Sequence, residues 1–169
     1  MKQKHLFQLF TLGVVCSFLT LSASSLAAKN PDFTGKWKFN ETESTMGEGR
    51  FFAAEEMSVT QDGKAITIER TRAGRDGQVR TTSETITLDG KENVDEQEYG
   101  KSTYRATWSD DNTSLIIETE TEFQRQGETF TMSRKEIWSL DKGGKVLTIE
   151  STSSSQRGTR SATLIYDKI

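Results

Sequence analysis

Residues 61–69 read Gln61-Asp62-Gly63-Lys64-Ala65-Ile66-Thr67-Ile68-Glu69, which is a turn followed by alternating apolar and polar side chains. The pattern returns as Ser114-Leu115-Ile116-Ile117-Glu118 after Asp110-Asp111-Asn112, and as Val146-Leu147-Thr148-Ile149-Glu150 after Asp141-Lys142-Gly143-Gly144. Asp-Gly and related pairs supply the positive φ angles that tight hairpins need. Alternation with a period of two indicates strands with one buried face. These stretches therefore predict antiparallel hairpins.

Similar alternation along the chain predicts a series of short strands from residue 33 onward. We place them at 33–41, 53–60, 65–72, 78–88, 92–98, 102–108, 113–123, 128–140, 146–155 and 159–168. Evenly spaced short strands separated by turns indicate a sandwich or a barrel. Because successive strands are joined by short turns, we predict an all-β fold. It is a single up-and-down antiparallel β-barrel of about eight to ten strands, lipocalin-like, which avoids free edges by closing on itself.

One face of each predicted strand is apolar and the other is charged. Leu115 and Ile117 share a face, whereas Glu118, Glu120 and Glu122 lie on the opposite one. An apolar face opposite a charged face is typical of a soluble antiparallel sheet. A barrel that crosses the outer membrane would need an apolar outer face, which these glutamates exclude.

The first 27 residues have the parts of a secretory signal. Lys2 and Lys4 form a basic start, an apolar run covers 6–21, and small residues surround Ala27. We expect cleavage after Ala27, which leaves a barrel domain at 28–169 and a periplasmic or secreted protein. A retained membrane anchor is the alternative reading of the same run.

Loss of this segment would remove two chemically important side chains. His5 is the only histidine and Cys16 the only cysteine, so Ser-His-Asp and Cys-His catalysis, His-ligated zinc and thiol redox chemistry would be excluded. We therefore expect no enzyme, no cofactor and no metal site. The net charge of −3, more negative once Lys2 and Lys4 leave, argues against a nucleic-acid partner. No second apolar run is long enough to span a membrane.

Inward-facing carboxylates are the remaining route to catalysis. Glu136 is predicted to face inward beside Arg134. An internal ion pair or a strand bulge explains it better than a catalytic role does.

Arginines gather at one predicted end of the barrel. The Asp-Gly turns lie at one end of a meander, and the loops that carry Arg50, Arg75, Arg125 and Arg157 lie at the other. Arginine suits the binding of carboxylate or phosphate, so we predict a pocket for a small amphipathic or anionic molecule. The candidate ligand-binding residues are Arg70, Arg80, Arg134, Arg160, Tyr166, Tyr104, Thr119 and Thr121. The alternative is that these arginines are solvated beside neighbouring acids.

The opening Asp32-Phe33-Thr34-Gly35-Lys36-Trp37-Lys38 resembles the Gly-x-Trp signature of the calycins, and 163–168 resembles their closing strand. That superfamily includes lipocalins, fatty-acid-binding proteins and bacterial exported lipocalin-like domains. The resemblance implies a barrel around an internal ligand site, with Gly35 and Trp37 as the structural signature and Trp37 at the closed end. It also places 42–56 where fatty-acid-binding proteins have a helical lid. Leu164 stands where that family has a carboxylate-binding arginine, so only Tyr166 carries over from that pair.

Three functions remain open from the sequence. The first is a non-catalytic exported carrier of a small amphipathic or anionic molecule. The second is a structural or interaction module of the bacterial envelope with a filled barrel. The third is an enzyme that uses carboxylates or arginines. A filled interior would favour the second, and an open interior would favour the first.

Overall fold

A computed structural model describes residues 29–47, 53–74, 77–97, 100–125 and 127–169. The predicted signal segment at 1–27 lies outside these residues. Within them the chain forms eleven strands: β1 (Gly35–Phe39), β2 (Thr45–Met46), β3 (Glu56–Gln61), β4 (Ala65–Ala73), β5 (Val79–Thr87), β6 (Glu92–Gln97), β7 (Gly100–Trp108), β8 (Ser114–Arg125), β9 (Glu128–Leu140), β10 (Val146–Ser155) and β11 (Gly158–Lys168). The part of the chain described here has no helix.

All strand pairs are antiparallel, in the order β5-β4-β3-β1-β11-β10-β9-β8-β7-β6. The last strands of this order return to the first, because β5 contacts both β6 and β7. The sheet is therefore a nearly closed barrel with its opening between β5 and β6. The prediction of an all-β, up-and-down antiparallel barrel is confirmed.

The segment after β1 continues the wall of the barrel. The short strand β2 pairs with β11 at Ala162 and Thr163, beyond the end of β1. Ser44 anchors the bend between them, since its Oγ donates to the Asn40 carbonyl at 2.6 Å and accepts the Ile165 N–H at 2.9 Å. The described residues in the 42–56 region thus form a strand and connecting chain, in contrast to the helical lid of fatty-acid-binding proteins.

The predicted turns have the expected local chemistry. Gly63 adopts a φ of 81°, and Asp62 Oδ1 accepts the N–H groups of Lys64 and Ala65 at 3.0 and 2.9 Å. These backbone bonds lower the pKa of the Asp62 carboxyl. Asp141 accepts the N–H groups of Lys145 and Val146 in the same way. Both turns lie at the same end of the barrel, which we call the base.

Aromatic side chains close the base. Phe33 is fully buried, with its ring centroid 6.3 Å from that of Trp108 in a stacked arrangement and 5.7 Å from that of Trp138 in an edge-to-face one. Trp37 is also fully buried and its Nε1 donates to the Phe33 carbonyl at 2.9 Å. Trp37 therefore lies at the closed end, as the resemblance implied.

Candidate functional site

The strand register brings four of the predicted ligand-binding residues into one row. Side chains of a strand alternate between the two faces of a sheet, and Ile117, Trp138 and Ile149 mark the buried, inward face. Residues aligned with one another on the inward face of neighbouring strands form what we call the arginine row. They are Asn93, Tyr104, Thr119, Arg134, Ser153 and Arg160, on β6 to β11. The row runs across more than half of the inner wall.

A charged network crosses the interior directly below this row. Arg70 projects from β4, and its Nη2 reaches Glu136 Oε2 on β9 at 2.9 Å. Its Nη1 is paired with Glu84 on the neighbouring strand β5. Arg134 Nη1 lies 3.5 Å from the other oxygen of Glu136. We call Arg70, Glu84 and Glu136 the internal bridge, since they connect opposite walls of the barrel; Arg134 borders it from the arginine row above.

The bridge is stabilised from below by Trp138. The indole Nε1 donates to Glu136 Oε2 at 3.1 Å, and the Arg70 guanidinium carbon lies 5.8 Å from the centroid of the ring. Burial alone would raise the pKa of Glu136, but the positive charges of Arg70 and then Arg134 outweigh it, so that pKa is lowered. Glu136 is consequently an anion in an internal ion pair, as its position beside Arg134 suggested.

Sequence reasoning missed Glu84. It lies two residues before the buried Ile86 and therefore faces inward. The only available signal was this spacing, because β5 is rich in hydroxyl residues and has weak apolar alternation.

Tyr166 lies deeper than the arginine row, toward the base. It is buried, and its ring centroid is 5.4 Å from that of Phe39. Burial raises the pKa of its hydroxyl to about 12, although the nearby Arg70 charge opposes this shift. The Tyr166 hydroxyl is thus neutral, and Tyr166 lies below the arginine row, among the buried residues.

Inward-facing side chains change from buried to accessible above the internal bridge. On β10, Ile149 and Ser151 are buried whereas Ser153 is half-buried, and on β11 Ala162 is buried whereas Arg160 is exposed. On β5, Ile86 is buried whereas Thr82 and Arg80 are exposed. We call the half of the interior above the bridge the upper cup.

The upper cup is basic. Among its described inward strand positions are Arg72, Arg80, Arg134 and Arg160, against the two acids Asp95 and Glu128. This surplus contrasts with the net charge of −3 of the chain. A concave surface of one sign raises the local concentration of ions of the opposite sign, so the cup favours anions.

The predicted site residues therefore separate into distinct places. Tyr104, Thr119, Arg134 and Arg160 share the arginine row, and Thr121 lies one row higher. Arg80 is on the facing strand β5, Arg70 belongs to the internal bridge, and Tyr166 lies below it. Of the loop arginines, Arg157 is exposed, whereas Arg50, Arg75 and the side chain of Arg125 lie outside the described residues.

Two further depressions differ in character from the cup. A groove of about 400 Å³ crosses the outer face of β7 to β10, where ion pairs join Arg105 to Glu92 and Lys135 to Glu118. A cleft of about 260 Å³ lies between β5 and β6 and is lined in part by Glu84, Asp95 and Tyr104. The groove lies on the outer face, whereas the cleft lies at the opening of the barrel between β5 and β6.

The part of the chain that the structure describes holds no group of three or more His, Cys, Asp or Glu side chains arranged to bind a metal. It also holds no helix long and apolar enough to cross a bilayer.

Comparisons with known proteins give one structural resemblance. No protein-family model matches the chain, and no curated protein matches it. The chain is similar to the zebrafish ileal bile acid-binding protein complexed with cholic acid, with a TM-score of 0.48 and 18% identity over 81% of this chain and 98% of that one. At that score the likeness says nothing about what this chain binds. The strand order and near closure described above fit a calycin-like fold, as the Gly-x-Trp opening predicted.

Proposed function

We propose that this chain is an exported, non-catalytic, calycin-like protein that binds a small amphipathic anion in the upper cup. The base is packed with aromatic and aliphatic side chains, so the ligand occupies the half of the interior above the internal bridge. The export step rests on the signal-like residues 1–27, and the non-catalytic role rests on the loss of His5 and Cys16 with that segment.

The observation that carries this proposal is the change in exposure of inward side chains across the internal bridge. Below it, positions such as Ile117 and Ser151 are buried. Above it, Arg160 is exposed and the Arg134 side chain is 40% exposed. Inward arginines that reach solvent within a concave wall can form charge-assisted hydrogen bonds to an entering anion.

Arg134 is the best placed of these for a ligand anion. Its ion pair with Glu136 is a long one at 3.5 Å, and Glu136 also accepts hydrogen bonds from Arg70 and Trp138. Thr119 and Ser153 flank Arg134 on the neighbouring strands. Their hydroxyl groups can donate to the same anion.

The test compares a charged amphiphile with a neutral one of similar size. Calorimetric titration of the purified protein should detect octanoate and give much weaker binding of octanol. Because a hydrogen bond to a charged group contributes about 1.5–3 kcal/mol, Arg134→Gln should weaken octanoate binding about tenfold or more and leave octanol unchanged.

The matched control is Arg105→Gln, which removes an outward-facing arginine one residue from Tyr104. It should not alter octanoate binding. Equal affinities for octanoate and octanol, or equal losses in the two variants, would contradict an anion site in the cup. Mass spectrometry of small molecules extracted from the purified protein would identify the natural ligand.

A second candidate function is an interaction module of the envelope. The packed base and the internal bridge, which together fill the lower half of the barrel, favour it. In that case the outer face carries the function, and neither amphiphile would bind in the cup.

A further inference from the structure

We infer that the upper cup takes a compact acid whose apolar part is about 10 Å long, and that Phe123 and Phe130 hold the far end of that part. This inference rests on the proposed function, since it assumes an anion at the arginine row. It adds a second contact region and an upper limit to the length of the ligand.

Phe123 and Phe130 form an aromatic lip on the tip of the β8–β9 hairpin. They are paired in register, and their ring centroids are 5.4 Å apart at an interplanar angle of 15°. Phe123 follows Thr119 and Thr121 on the inward face, and Phe130 precedes Met132 and Arg134 on the same face. The lip therefore lies on the inward face of the hairpin, one row above Thr121 and Met132.

The lip is exposed and extends beyond the adjacent hairpin. The pairing of β9 with β10 ends at Met132 and Ser155, so Phe130 lies past the end of β10. Phe123 is 40% exposed and Phe130 is half-buried. Two rings of this kind beside a concave basic site offer apolar contact area to a bound molecule.

The distance along β9 sets the length of the ligand. Arg134 and Phe130 are four residues apart on an unbroken strand, which corresponds to about 13 Å at about 3.3 Å per residue. An extended alkyl chain advances about 1.3 Å per carbon, since its bonds of about 1.5 Å are staggered. An acid of about ten carbons therefore reaches from Arg134 to the lip.

The ligand cannot gain length by entering more deeply. The internal bridge crosses from β4 to β9 below the arginine row, with Arg70 bound to both Glu84 and Glu136. Beneath it, Trp138 and Phe33 are fully buried. Between the row and the lip lies Met132, a flexible apolar side chain that adapts to ligands of different shape.

The experiment is a chain-length series of linear acids from hexanoate through decanoate to hexadecanoate, titrated calorimetrically below their micelle-forming concentrations. Each buried methylene strengthens binding about fourfold. Affinity should rise in this way up to decanoate and then level off, because further methylenes pass the lip and remain in water. A continued rise to hexadecanoate would overturn the length limit.

Substitution of the lip tests its contact with the ligand directly. Phe123→Ala should weaken decanoate binding about tenfold and leave hexanoate binding unchanged, because hexanoate does not reach the lip. Val79→Ala is the matched control, since Val79 is 69% exposed and faces outward on β5. Equal losses for hexanoate and decanoate in Phe123→Ala would overturn the role of the lip.

The two proposals fail in different ways. If no acid of any length binds, the proposed anion site itself is wrong. If hexanoate binds and responds to Arg134→Gln but decanoate binds no better than hexanoate, the anion site stands and the aromatic lip is wrong.

Discussion

Removal of the Arg70 guanidinium should destabilise the barrel strongly, because it leaves two carboxylates in the interior without their main partner. We consider Arg70→Met, which retains an unbranched apolar side chain. Glu136 is buried, and Glu84 and Arg70 each have side chains only 19% exposed. Breaking a buried ion pair by removing one partner costs about 3–5 kcal/mol. Since Arg134 still lies 3.5 Å from Glu136, we expect a loss of about 3 kcal/mol.

Urea unfolding followed by tryptophan fluorescence measures this loss. Trp138 contacts both Glu136 and Arg70, so its emission reports on the bridge as well as on the fold. With a slope of about 2 kcal/mol per molar urea, the midpoint should fall by about 1.5 M. Arg105→Met is the control, because Arg105 and Glu92 are 47% and 58% exposed and such surface pairs contribute at most about 1 kcal/mol.

The pH dependence of stability gives a second test of the internal bridge. The pKa of Glu136 in the folded protein lies below its ordinary value of 4.5. The stability from this shift is therefore present above about pH 4.5 and is lost as the pH falls through the lower folded pKa. The difference in unfolding free energy between wild type and Arg70→Met should narrow in that acid range, since protonation of Glu136 removes the negative charge that the substitution leaves unpaired. The internal bridge would be refuted if Arg70→Met lost no more stability than Arg105→Met. It would also be refuted if the stability difference between wild type and Arg70→Met did not narrow at acid pH.

Three further predictions concern the base, the buried tyrosine and the contact between β7 and the hairpin that carries the lip. Phe33→Ala should destabilise the protein by about 3–5 kcal/mol in urea unfolding, because it empties the space between two tryptophans; a loss below about 1 kcal/mol would contradict a packed base. An absorbance titration should show one tyrosine with a pKa of about 12 that disappears in Tyr166→Phe. Because this pKa is raised, its contribution to stability holds below pH 10 and is lost toward pH 12. Gly100→Ala should cost about 1–3 kcal/mol, since the added Cβ would lie 2.3 Å from the Glu122 carbonyl oxygen; an unchanged urea midpoint would exclude this close approach.

Much of the barrel could be predicted from local signals. Asp62-Gly63 and Asp141 specify their turns through short-range hydrogen bonds, so the hairpins on either side follow from the sequence. The strand at 92–97 has little apolar alternation, yet it forms because its residues pair in register with β7. The helical lid implied by the resemblance was not found in the described residues, where Thr45 and Met46 instead pair with β11.

The candidate site was also partly predictable from local alternation along the strands. Alternation alone placed Tyr104, Thr119 and Arg134 on the inward face, and an up-and-down order brings such residues into one row. The contact of Arg70 with Glu136 could not be predicted, since β4 and β9 are far apart in the sheet and meet only through closure of the barrel. Glu84 differs, because its partner Arg70 lies on the adjacent strand β4 of the same hairpin. Its inward position was missed because β5 has weak apolar alternation.

The division of the interior into a packed lower half and an open upper cup can be tested most directly with two serines of β10. Ser151 and Ser153 both face inward two residues apart, but Ser151 is 2% exposed and Ser153 is half-buried. Each is replaced by cysteine, with Cys16 changed to serine, and the rate of reaction with an anionic disulfide reagent is measured. Thr152→Cys, on the outer face, is the reference.

We predict that Ser153→Cys reacts at a rate comparable to Thr152→Cys or faster, because Arg134 and Arg160 flank it. Ser151→Cys should react about two orders of magnitude more slowly, since its thiol is reached only after local opening. Equal rates for Ser151→Cys and Ser153→Cys, whether both fast or both slow, would contradict a barrel that is packed below the internal bridge and open above it.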